Sequence, residues 1–198
     1  MTVISPNSDS IWQRYLMALE DVDRRLRRIC RAFSESGVPF ALVGGQAVAI
    51  WVAQKDPAAV RTTKDVDVLL HRDDLPKAKA AARKAEFDYC EIVGVGMFLE
   101  RDDPSPRQAV HLIWSGEKVR PEYELPSPTV EQRIEISPGV YVVNLPGLVR
   151  MKLLSYRDQD RVHLRDMIEV GLIDRGFFDA LSPLLVSRLE PLLAEAGR

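Results

Sequence analysis

Apolar residues recur at helical spacing from Trp12 to Phe33, through Leu16, Leu19, Val22, Leu26 and Ile29. This predicts an amphipathic helix over 10–36, with Ser8, Asp9 and Ser10 as N-cap candidates and Gly37 as its stop. The period then shortens. Phe40-Ala41-Leu42-Val43 reads as a buried strand, Gly44-Gly45 as the turn that ends it, and 46–54 as an apolar helix. Beyond a polar loop, Val66, Val68 and Leu70 alternate with Asp65, Asp67 and Leu69, which predicts a strand over 65–70. An Ala- and Lys-rich helix over 73–86 follows, then strands near 89–93, 95–100 and 108–114. The prolines of 120–128 read as a linker, and a hairpin over 133–136 and 140–143 turns at Pro138-Gly139. Two or three helices, over about 146–156, 161–172 and 182–195, close the chain. The pattern is α/β in the mixed (α+β) sense: a core over 1–145 that includes the N-terminal helix, and a helical tail over 146–198 packed on it.

With 46% hydrophobic and 28% charged residues among 198, the chain has the balance of a globular protein. A net charge of -2 excludes bulk attraction to nucleic acid or anionic lipid. The longest near-apolar run, 40–53, falls short of the roughly 20 residues a membrane span needs. No basic segment followed by an apolar one opens the chain, so no signal peptide and no membrane association are expected. Cys30 and Cys90 are the only cysteines, too few for a disulfide framework or a thiolate zinc site, and a reducing cytoplasm is the expected location. Arg24, Arg25, Arg27, Arg28 and Arg31 interleave with Glu20, Asp21, Asp23 and Glu35. They read as a solvated face, with Arg24, Arg27, Arg28 and Arg31 as a local patch open to RNA.

The candidate chemistry starts at Asp65-Val66-Asp67. Aspartate is disfavoured in strands, yet here two flank a valine. The two-residue period sets both carboxylates on one face with Cα atoms about 6.5–7 Å apart, a separation at which their oxygens converge on hard cations. On the strand alone, a solvated face is an equal reading. Gly44-Gly45 ends a strand and opens a helix, where missing side chains let backbone N–H groups approach a phosphate or merely relieve a crowded turn. Arg61-Thr62-Thr63-Lys64 adds cationic and hydroxyl groups directly before the first aspartate.

Leu42-Val43-Gly44-Gly45 followed by Arg61-Thr62-Thr63-Lys64-Asp65-Val66-Asp67-Val68-Leu69-Leu70 resembles the signature of the DNA-polymerase-β-like nucleotidyltransferase superfamily. In the tail, Leu148 to Arg157 with Lys152, then His163-Leu164-Arg165-Asp166-Met167, resembles the abortive-infection nucleotidyltransferase toxins of the AbiEii/AbiGii type. The resemblance implies a mixed nucleotidyltransferase-type sheet flanked by helices. It also implies transfer of a nucleoside monophosphate from a nucleoside triphosphate to a hydroxyl acceptor, a tRNA or a protein, with Mg2+ or Mn2+. A toxin–antitoxin pair, and hence an antitoxin partner, is implied as well. By resemblance Gly44 and Gly45 hold the triphosphate, with Arg61, Thr63 and Lys64 beside them. Asp65 and Asp67 bind metal, Lys152 meets the triphosphate or assists catalysis, and Asp166 positions Lys152 or an acceptor.

The pattern departs from the superfamily where a later strand commonly supplies a third carboxylate. His111 stands there, and His163 replaces the first aspartate of the tail pattern. Three readings of His111 are open: a metal ligand preferring manganese, an acid–base group, or a satisfied core histidine. Two rival functions follow, a nucleotidyltransferase-fold binding module without turnover and a small-molecule adenylyltransferase of the antibiotic-resistance type. The second is motivated by Gly37-Val38-Pro39-Phe40 leading into Gly44-Gly45.

Overall fold

The computed structural model describes residues 8–197, so the opening segment, on which the signal-peptide reading rests, lies outside the described residues. Helix α1 (Ser8–Glu35) is followed by β1 (Phe40–Val43), α2 (Gly44–Ala53), β2 (Val66–Leu70) and α3 (Leu75–Lys84). Then come β3 (Phe87–Ile92), β4 (Val95–Glu100), β5 (Val110–Trp114), β6 (Arg133–Ser137) and β7 (Val140–Val143). The tail holds α4 (Leu145–Ser155), α5 (Asp158–Glu169) and α6 (Pro183–Glu195). Ser8, Asp9 and Ser10 lie inside the first turn of α1, and its capping position is outside the described residues.

The seven strands form one mixed sheet in the order β3-β4-β5-β2-β1-β7-β6. β1 runs antiparallel to β2 and parallel to β7, while β2 runs parallel to β5. Side-chain alternation assigns the two faces. Phe40, Leu42, Val66, Val68 and Leu70 point to the face covered by α1 and α3, where Phe33 meets Phe40 and Phe98 edge-on at 5.6 and 5.8 Å. Val43 and Asp67, paired across β1 and β2, point to the opposite face, where α2 lies with α4 and α5 stacked on it. Trp51 Nε1 donates to Val143 O at 3.1 Å and pins α2 to the sheet.

Three expectations need correction. The apolar stripe of α1 does not pack along its whole length: Trp12 and Leu16 are exposed, and burial is complete only at Ile29 and Phe33. Periodicity specifies a helix face, not what covers it. Arg25 is not solvated. It is buried, donating to Glu100 at 2.9 Å and to Gln108 at 3.2 Å. Arg24, Arg27 and Arg28 pair with Asp21, Asp23 and Glu100, so the arginine patch is largely internally neutralised. Third, 120–128 is no linker. Ser127 is buried, its N–H donating to Glu117 O at 2.9 Å and its hydroxyl to Trp114 O at 2.5 Å, so the segment is fastened to the end of β5. Among the described residues no helix is long and apolar enough to cross a membrane.

Candidate active site

A cavity of about 670 Å3 opens at the C-terminal end of β1, bounded by β2 and β5, the 117–127 segment and helices α4 and α5. Gly44, Gly45, Thr63, Asp65, Asp67, His111 and Lys152 all line it. The glycine pair is demanded by this crowding. Gly44 sits at φ +65°, and a Cβ there would overlap the Asp67 carboxylate, standing 2.8 Å from Asp67 Cγ. A Cβ on Gly45 would lie 2.7 Å from Thr63 Oγ1. Both glycines belong to the first turn of α2, whose N–H groups lack partners within the helix. Bare backbone, a half-buried carboxylate and a hydroxyl therefore meet at one point.

Asp65 stands just ahead of β2, and Asp67 is its second residue. The β2–β5 register sets His111 directly beside Asp67, with Nδ1 3.9 Å from Asp67 Oδ1. Burial raises the Asp67 carboxyl above its ordinary range and the Asp65 charge adds to this, against the opposing influence of His111 and Lys152. Among the described residues no three or more His, Cys, Asp or Glu side chains are grouped to enclose a cation. A magnesium-type ion needs no such cage, taking one or two carboxylates and completing its shell with phosphate oxygens and water. Asp65 and Asp67 fit that donor set, and a cation there would relieve the buried charge of Asp67.

The tail delivers Lys152 by a tight reversal. Helix α4 ends at Ser155, Tyr156 takes a left-handed conformation at φ 47°, and Arg157 caps α5. This folds α5 back, so that Lys152 Nζ donates to Asp160 Oδ1 at 3.0 Å, with both residues buried. Ser155 Oγ donates to Asp160 Oδ2 at 2.7 Å, and Arg157 donates from its backbone N–H at 3.2 Å and from Nε at 2.9 Å. Burial alone would raise Asp160, but Arg157, the Lys152 charge and Ser155 overcome it and hold the carboxyl down at about 2. Lys152 is thus anchored at the cavity wall by Asp160.

Asp166 is not paired with Lys152. Its carboxylate, buried one helical turn beyond His163, accepts from Arg61 Nε at 2.8 and 2.9 Å, and it does not line the cavity. Asp160 holds Lys152 instead. The periodic pattern opens this helix at 161, whereas α5 opens at Asp158 and so carries Asp160 on its buried face. Arg61 is committed to Asp166, and neither it nor Lys64 lines the cavity, whereas Thr63 does. The wall supplied by Lys118, Arg120, Tyr123 and Leu125 was also missed. Proline content reports backbone restriction, not the surface a segment is fastened against.

The mixed sheet thus brings Asp65, Asp67 and the glycine turn together at one cavity. The structure is similar to a nucleotidyltransferase-like antigenic protein from Paracoccidioides brasiliensis, at 19% identity and TM-score 0.57, covering 89% of this chain and 88% of that one. Fainter likeness extends to the antibiotic-resistance factor ANT(2″)-Ia, with 14% identity, TM-score 0.47 and coverage of 87% and 90%. It extends also to the Megavirus polyadenylate synthase, with 11% identity, TM-score 0.43 and coverage of 100% and 37%. No curated protein matches the chain. The family described as uncharacterised nucleotidyltransferase matches residues 10–136, and the chain belongs to it.

Proposed function

We propose that the protein transfers a nucleoside monophosphate from a nucleoside triphosphate to a hydroxyl acceptor, releasing pyrophosphate. The observation that carries this reading is the meeting of Gly44, Asp67, His111 and Lys152 in one cavity. Asp65 and Asp67, with His111 beside them, would hold Mg2+ or Mn2+, which when bound shields phosphate charge and orients the attacking oxygen. The first turn of α2 offers its N–H groups to the phosphates, and Lys152 offers an ammonium anchored by Asp160. Catalysis then rests on positioning and charge stabilisation.

On the acceptor side Lys118 and Arg120 line the cavity, Arg120 3.7 Å from Glu122, beside Arg157 on Asp160. The nearby carboxylate Glu117 is engaged by Arg72 at 2.6 and 2.8 Å, which leaves Lys118 as the cation there without an ion-pair partner among the described residues. Such a wall favours a phosphate-bearing hydroxyl, such as the end of a tRNA, over a polycationic antibiotic. This agrees with the tail's likeness to the abortive-infection toxins, and a toxin paired with an antitoxin is the cellular role we infer. The test is incubation with labelled nucleoside triphosphates, magnesium or manganese, and total tRNA, candidate proteins or aminoglycosides. Label entering RNA with pyrophosphate release supports the reading. Binding of metal-nucleotide without transfer to any acceptor supports the rival module without turnover.

A further inference from the structure

Along one face of α5, polar residues recur every three positions: Asp160, His163 and Asp166, all buried. The outer two are neutralised, Asp160 by Lys152 and Arg157 and Asp166 by Arg61. The middle one is not. His163 is 7% exposed and lines the cavity, yet its Nδ1 is fully enclosed and has no hydrogen-bond partner. Buried polar atoms are nearly always paired, so an orphan at a cavity wall calls for an explanation.

We propose that His163 is a ligand-binding residue, presenting Nε2–H as an uncharged donor to a phosphate oxygen held beside Lys152. The inference rests on the nucleotidyl-transfer reading of the cavity. With Nδ1 enclosed by protein, Nε2 is the ring nitrogen on the cavity side. A proton on Nδ1 would strand a buried donor without an acceptor. The other tautomer leaves only a lone pair there and turns the donor toward the ligand. Burial and then the Lys152 cation hold the imidazole down at about 4, so the ring is neutral near pH 7. Lys152 and Arg157 act on the ring against Asp160 and Asp166, and Lys152 stands with it in the cavity wall as the cation an anionic oxygen would meet. A neutral donor adds a hydrogen bond at this point without a further positive charge against Lys152.

The test exploits the two positions of the ring nitrogens. The amide nitrogen of Gln reaches where Nε2 stands, and the amide group of Asn reaches where Nδ1 stands. Binding of inorganic tripolyphosphate, with and without magnesium, is measured by calorimetry for the parent, His163→Ala, His163→Gln and His163→Asn. Thermal melting without ligand is recorded for each. The expected result is a loss of roughly tenfold or more for Ala and Asn, the range of a hydrogen bond to a charged group, and near-parental binding for Gln. Parental binding by Ala, or rescue by Asn in place of Gln, overturns the proposal. Equal weakening in Gln and Asn that tracks lowered melting makes His163 a packing residue and overturns it too. Asp67→Ala separates this inference from the underlying reading. If magnesium-dependent binding survives in Asp67→Ala, the transfer reading fails, whereas the Gln–Asn contrast without magnesium still decides His163.

Discussion

Gly44→Ala tests whether the glycine turn exists for the Asp67 carboxylate. At φ +65° an L-residue costs about 1–2 kcal/mol in backbone strain. The new methyl would overlap Asp67 Oδ2 and lie 2.8 Å from its Cγ, a distance real Cβ atoms essentially never show, so the carboxylate or the turn must move. Asp67 is fixed by the β2 ladder between Val43 and His111, and its side chain has one hinge, χ1, by which to leave. Rotation takes the carboxylate off the metal position proposed above, and the loss is expected in binding more than in folding. Gly116→Ala is the control. It carries the same strain at φ +71°, but its Cβ would meet only Thr129 Cγ2 at 3.9 Å, and Gly116 does not line the cavity. Both variants should lose about 1–2 kcal/mol in urea unfolding. Magnesium-nucleotide affinity measured by calorimetry should collapse in Gly44→Ala and stay parental in Gly116→Ala. Parental affinity in Gly44→Ala, or equal losses in both, would falsify the link between the turn and Asp67.

Asp67→Asn should abolish metal-nucleotide binding while raising the melting temperature near pH 7, since it removes a charge whose burial the fold opposes; a lowered melting temperature counts against this. Lys152→Ala should weaken tripolyphosphate binding and, by breaking a buried pair, cost about 3 kcal/mol, at the low end because Arg157 and Ser155 still hold Asp160. Unchanged denaturant midpoints would show the pair to be energetically idle. His111→Asp should shift activity from manganese toward magnesium, because a carboxylate suits the harder ion; unchanged metal ratios across a titration argue for a packing role. Stability should fall as pH drops from about 6.5 to about 4, because the unfolded His163 takes a proton that the folded ring refuses. The loss is on the order of 3 kcal/mol. His163→Gln should flatten that window in denaturation curves across pH, and an unflattened curve assigns the slope elsewhere.

Local pattern carried much of this protein. The strand Phe40–Val43, the Gly44-Gly45 turn and the Asp65-Val66-Asp67 step were legible because each is a local demand: alternation, freedom at positive φ, and a polar residue where a strand disfavours one. Their order along the chain was sufficient for the superfamily resemblance. Tertiary structure decided the pairings, because ionic partners are chosen by distance through space and not along the chain. Arg25 found Glu100 across 75 positions and Arg61 found Asp166 across 105. Neither link leaves a trace in spacing, so Arg25 was read as solvated and Arg61 as free for a nucleotide. The same holds for Lys152, whose residue type was informative but whose holder, Asp160, emerged only from the left-handed turn at Tyr156. The 120–128 segment became a cavity wall because Ser127 is fastened to the end of β5. A hydrogen bond of that kind is specified by where two backbones arrive, and composition does not encode it.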